Sequence, residues 1–270
     1  MALKDLMVHL DQGERTAARL ALAVSLARQH QARLLGVFAQ RGEALRVGVV
    51  TRWPDEAYAA AAEASKRLFA QATEGLAKAE WRDVNRGSDA EIRRHLTALT
   101  HHVDLLLLGQ HDEEAKAYNS AALAEDLVES AGRPVLILPY AGNFPALGKR
   151  PLIAWSEARE AARALNDALP LIEACDEAFV LSFATQREEA EASCADVARH
   201  LASHGIKAKT EVLPIEGLGL MDMLLNRVAD READMLIMGG HGHPSLAHFG
   251  RGAGTRHIFR HMTVPVLMSA

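Results

Sequence analysis

Short runs of four to eight apolar residues alternate along the chain with longer stretches in which apolar positions recur every three or four residues. The short runs suit strands buried on both faces, and the longer ones suit helices with one buried side. In the C-terminal half the pattern predicts strands at 150–155, 178–184, 207–213, 234–239 and 264–269, with helices at 158–174, 188–203, 217–231 and 254–261. The N-terminal half predicts strands at 5–10, 33–39, 81–86, 104–109 and 134–138. Strands separated by helices require crossovers, and right-handed crossovers produce a parallel sheet covered on both faces. The expected fold class is doubly wound α/β. Such sheets take ligands outside the carboxyl ends of their strands, where the strand order reverses, so the residues after each first and fourth strand are the places to search.

The two halves read as copies of one unit. Asp104-Leu-Leu-Leu-Leu-Gly109-Gln-His111 matches Asp234-Met-Leu-Ile-Met-Gly239-Gly-His241 at an offset of 130 residues, and Pro134-Val-Leu-Ile-Leu138 matches Pro265-Val-Leu-Met-Ser269 at 131. Nearer the start, Ala17-Ala-Arg19 matches Ala161-Ala-Arg163 at 144. Self-similarity at a fixed spacing is the mark of a duplicated unit. The fall in offset assigns about 14 extra residues to the first copy, expected as a loop over 41–55, where Gly42, Gly48 and Trp53-Pro54 interrupt the pattern. At 270 residues the chain has room for two such domains, expected at 1–141 and 148–270.

The glycine-rich stretch after the fourth strand of the second copy carries the strongest chemical signal. It reads Gly239-Gly-His-Gly242-His243-Pro-Ser-Leu-Ala-His248-Phe-Gly250-Arg251-Gly252-Ala253-Gly254-Thr255 before a helix begins. Glycines let a backbone approach a ligand closely and turn its N–H groups toward an anion, and a helix N-terminus adds partial positive charge. The Thr255 hydroxyl is a further donor. Beyond Asp234 the chain has no acidic residue, while it holds Arg251, Arg256, Arg260 and five of the 13 histidines. In a chain of net charge −5 this is a locally positive stretch suited to phosphate. The corresponding stretch of the first copy carries Asp112, Glu113, Glu114, Glu125, Asp126 and Glu129, and between Gly109 and Tyr140 it has only Gly132 besides Gly109. Acidic groups there would repel phosphate, which assigns any phosphate site to the second copy.

These residues resemble the universal stress protein family. The spacing Gly239-x-x-Gly242, nine residues, then Gly252 matches that family's nucleotide loop, and Arg260-His-Met-Thr-Val-Pro-Val-Leu is similar to its closing strand. Ala154-Trp-Ser-Glu-Ala-Arg-Glu-Ala-Ala-Arg163 resembles its first strand-to-helix turn. The resemblance implies two tandem doubly wound five-stranded parallel sheets of the adenine-nucleotide alpha-hydrolase-like kind, paired through their last strands as an intramolecular pseudo-dimer; a homodimer is a further assembly open to it. It implies a first domain with a degenerate loop and a second with a functional one. Carried over by position, it points to Ala154, Trp155 and Ser156 near the base or ribose, Gly239, Gly242 and His243 near ribose and phosphates, and Gly252, Ala253, Gly254 and Thr255 at the phosphates. The ligand implied is ATP or another adenine nucleotide, with Mg²⁺ held mainly by the phosphates. The chain departs from the pattern twice. Ala253 stands where Ser or Thr follows the third glycine, and Ser156 stands where the first strand usually ends in Asp, a residue that Asp11 supplies in the first copy.

Other chemistries fit less well. Neither GxxxxGK[ST] nor GxGxxG after a first strand occurs. His241, His243 and His248 suit a transition metal, but further ligands are hard to find nearby. Trp155 fits either a core position or a stack against a base. Cys175 and Cys194 lack metal or redox spacing and are expected in helices as buried small residues. No nucleophile, base and orienter can be read together, so the chain is not read as an enzyme, and slow hydrolysis of bound ATP stays open. With pI near 6.2 and no apolar run long enough for a bilayer, no nucleic acid or membrane is expected as partner, and the cytoplasm is the expected address. The leading expectation is a stress-response protein that binds ATP in its C-terminal half. Its rivals are a ligand-free scaffold or chaperone-like interaction protein with a vestigial loop, and a small-molecule or metal sensor.

Overall fold

A computed structural model describes residues 2–42, 45–47, 50–52, 55–84, 88–215, 219–240 and 253–270. The chain divides into two compact units, one of residues 2–135 with 143–146, the other of residues 136–142 with 147–270.

In the N-terminal unit β1 (Asp5–Leu10), α1 (Thr16–His30), β2 (Arg33–Phe38), α2 (Glu56–Ala72), β5 (Ala79–Asp83), α3 (Asp89–Thr100), β6 (Leu105–Gly109) and α4 (Leu123–Ser130) follow one another. Between β2 and α2 lie β3 (Leu45–Val47) and β4 (Val50–Arg52). The main strands pair in parallel in the order β6-β1-β2-β5. The chain then enters β7 (Val135–Leu138), where the division between the units falls. Leu6 to Leu10 of β1 are all buried, as a central parallel strand requires, whereas β5 at the edge keeps exposed positions.

The C-terminal unit repeats this plan with β8 (Pro151–Trp155), α5 (Arg159–Ile172), β9 (Ala178–Ala184), α6 (Arg187–Ser203), β10 (Ala208–Pro214), α7 (Leu220–Asp230), β11 (Met235–Gly239), α8 (Ala253–His261) and β12 (Val266–Ser269). Its five strands pair in parallel in the order β10-β9-β8-β11-β12. The order reverses beside β8 as it does beside β1, which creates the switch point of a doubly wound sheet.

The duplication is visible bond by bond at the amino ends of these strands. Asp104 Oδ2 accepts the N–H groups of Lys4 and Asp5 at 2.7 and 2.9 Å. Asp234 accepts those of Lys149 and Arg150 at 2.8 and 3.0 Å. The Leu106 N–H donates to Pro134 O at 3.1 Å, and the Leu236 N–H donates to Pro265 O at 2.9 Å.

Two expectations are corrected. Residues 41–55 do not form a plain loop, because β3 and β4 pair antiparallel, with Leu45 opposite Arg52 and Val47 opposite Val50. The run Leu45-Arg-Val47 and Val50-Thr-Arg52 has the β-branched content of short strands, which the neighbouring glycines and Trp53-Pro54 obscured. Cys175 lies just beyond α5 rather than within it and is only half-buried, its N–H bonded to Ile172 O at 3.0 Å, whereas Cys194 is buried in α6.

Candidate functional site

At the C-terminal switch point Ala154 and Trp155 end β8, and Ser156 begins the turn into α5. Ala154 pairs with Met238 of β11, so Gly239 ends its strand beside them. Gly239 is confined on its other side. A Cβ there would lie 2.7 Å from Ala161 N and 2.8 Å from the Glu160 carbonyl carbon, so only glycine lets the first turn of α5 settle on the end of β11. The contact brings a helix N-terminus, with its outward N–H groups and partial positive charge, to the carboxyl end of the sheet. Gly240 is fixed by its N–H donating to Ser269 O of β12 at 2.8 Å.

Four expected site residues, Ala154, Trp155, Ser156 and Gly239, are therefore brought together by adjacent strand ends. All four are half-buried. Ala253, Gly254 and Thr255 open α8, with Gly254 and Thr255 buried. Gly242, His243 and Gly252 lie outside the described residues, as do His241 and His248. The Trp155 indole is fixed by its N–H donating to Ser193 Oγ of α6 at 2.9 Å. The acid-free stretch after Asp234 gains an acidic neighbour in space. His257 of α8 lies 2.8 Å from Asp222 of α7, and its ring also packs against His261 with centroids 4.6 Å apart. Among the described residues no group of three His, Cys, Asp or Glu side chains is placed to hold a metal ion. No helix among them is long and apolar enough to cross a membrane.

The first copy holds a polar cluster that sequence reasoning did not locate. Strand pairing makes Asp11 the counterpart of Ser156 and His9 the counterpart of Ala154. Asp11 Oδ1 accepts the Thr16 hydroxyl, the Gly13 N–H at 3.0 Å and Arg19 Nη2 at 3.2 Å. Arg19 is 4% exposed, and its Nε donates to His9 O at 2.7 Å. Burial alone would raise the Asp11 pKa, but the Arg19 guanidinium, with help from His9, Thr16 and Gly13, holds it well below the usual carboxylate range. Burial holds the His9 imidazole below its ordinary range. Its Nε2 sits 2.7 Å from Ala39 O, and because a carbonyl only accepts, Nε2 carries the proton. In the second copy the matching Arg163 is exposed, at 3.7 Å from Asp167 and 2.8 Å from Ala270 O. One residue pair explains the difference. Asp11 offers a half-buried carboxylate and Ser156 does not. The repeat alignment of Arg19 with Arg163 was readable, but their opposite burial was not.

Comparison with known proteins agrees with this architecture. Residues 151–269 match the model of the universal stress protein family. A universal stress protein from Archaeoglobus fulgidus has a similar structure, with a TM-score of 0.72 at 16% identity, covering 97% of this chain and 94% of that one. A functionally unknown protein from Pseudomonas aeruginosa matches with a TM-score of 0.59 at 16% identity, covering 98% of this chain and 92% of that one. No curated protein matches. Residues 151–269 thus match the universal stress protein family, and the full length of the chain shares the fold of the Archaeoglobus protein.

Proposed function

We propose that the C-terminal unit binds an adenine nucleotide, ATP foremost, and that the chain acts as a cytoplasmic stress-response protein without strong catalytic activity. Occupancy would then change its stability or its choice of partner. The observation that carries this reading is the meeting of β8, β11 and the first turn of α5 through Gly239, at the switch point where doubly wound sheets take ligands. The backbone N–H groups at that turn and at the start of α8, with the glycine content of 239–254 read from the sequence, suit phosphate better than a metal ion. In this reading Ala154, Trp155 and Ser156 line the base or ribose, Gly239, Gly242 and His243 the ribose and phosphates, and Gly252 to Thr255 the phosphates. Any Mg²⁺ is held through phosphate oxygens, since no carboxylate follows Asp234 in sequence. Ser156 in place of a carboxylate and Ala253 in place of a hydroxyl leave the backbone as the main source of affinity.

Asp222 beside His257 favours a second reading, a ligand-free scaffold, because it offsets part of the positive charge on α8. Calorimetric titration of the full chain with ATP, ADP and AMP, with and without Mg²⁺, separates the two. The nucleotide reading expects measurable heat and a raised Tm in the wild type, both reduced at least tenfold or lost in Gly252→Asp. No heat and no thermal shift at millimolar nucleotide would leave the scaffold.

A further inference from the structure

In the N-terminal unit the switch point between β1 and β6 is occupied by the chain itself. The Arg19 guanidinium lies over both strand ends. Its Nη1 is 2.3 Å from where a Cβ on Gly109 would be, at the end of β6. Its Nη2 reaches Asp11 and its Nε reaches His9 O, at the end of β1. A side chain at position 109 would displace it, so glycine here serves an arginine where Gly239 serves a helix. Asp11, fixed in this way, turns its other oxygen to the segment that follows β6. Asn119 Nδ2 donates to Asp11 Oδ2 at 3.2 Å. From the β2 side, the Arg41 N–H donates to Tyr118 O at 2.8 Å, and Arg41 Nη2 donates to Ala117 O and Asn119 O at 3.2 and 3.0 Å. Residues 117–119 therefore span the carboxyl ends of β1 and β2, tied at both.

The geometry points to a latch. Arg19 holds Asp11, and Asp11 with Arg41 pins residues 117–119 across the strand ends, so that this unit keeps its switch point shut with its own side chains. The Arg19 guanidinium at this strand end is bound to an internal carboxylate. The inference is independent of nucleotide binding in the other unit. It also differs from the idea that acidic residues merely repel a ligand, because it requires a mechanical tie at Asn119.

Lys116 stands exposed at the start of the strap, and Lys66 lies within α2, so lysine-specific proteolysis of the full chain reads the two separately. Cleavage of a locally opened segment follows the population of its open form. In Asn119→Ala, which spares the buried ion pair, cleavage after Lys116 should rise about fivefold or more, the effect of losing one hydrogen bond to a charged acceptor, with cleavage after Lys66 unchanged. Arg19→Met should raise it further. The latch is refuted if Asn119→Ala leaves cleavage after Lys116 within twofold of wild type, or if cleavage after Lys66 rises in step. The Asn119→Ala result decides the matter even where Arg19→Met unfolds the unit.

Discussion

Asp11 is the residue on which the N-terminal unit turns. Four donors converge on one carboxylate, and the partner guanidinium is almost wholly buried, so the pair is not an exposed salt bridge of small worth. Removing its charge leaves Arg19 buried without a counterion, which costs about 3–5 kcal/mol in comparable buried pairs. Because the folded carboxyl titrates below its ordinary value, this stabilisation is complete above the unfolded pKa near 4 and is lost as pH falls through the folded value. Denaturant unfolding of wild type and Asp11→Asn should therefore differ by about 3 kcal/mol at pH 7 and converge progressively below pH 4. A gap that is the same at pH 7 and pH 2 would show that the charge is not its source.

At the scale of elements, Gly239 sets how closely α5 packs on β11. Its neighbours are backbone atoms, which cannot swing aside. Gly239→Ala must push helix and strand apart, an overpacking cost of about 1–3 kcal/mol, so thermal unfolding should show a transition lowered by roughly 5 °C or more. An unchanged transition would mean that the helix start yields freely. The elements themselves were legible in sequence. Strands 5–10 and 178–184 are found where the apolar runs end, and α6 differs from its expected start by one residue. The third strand of the first copy was expected at 81–86 and is found at Ala79–Asp83, because pairing with Leu34 to Phe38 of β2, rather than its own weak apolar content, fixes its ends. Burial was not legible. Nothing in Ala17-Ala-Arg19 and Ala161-Ala-Arg163 distinguishes an arginine sealed against a carboxylate from one facing solvent, since the deciding residue lies eight positions earlier, at Asp11. For the candidate site, the sequence located both strand ends and the start of α8. The packing of Gly239 on α5 and the approach of Asp222 to His257 are tertiary facts that no local pattern encodes.

Across the whole molecule, one unit has been built twice and finished differently. The acidic, latched switch point of the first copy and the glycine-bearing one of the second lead to a stoichiometric expectation: titration of the full chain should saturate at one nucleotide per chain. Two equivalents, or a single equivalent retained in Gly252→Asp, would move the site out of the second copy.

The aspartates that clamp the strand entries, Asp104 and Asp234, carry a different implication. They perform the same task at the same place in both units, at the end of each sheet remote from its switch point. Strand alignment is thus secured from one rim, and the opposite rim is released from that duty. After duplication, mutations at the free rim could accumulate without unravelling the sheet. One descendant could trade an open cleft for a salt-bridged plug while its sibling kept glycines, and both would remain foldable throughout. The shared clamp lets the two halves differ at their free rims while both keep their strands in register.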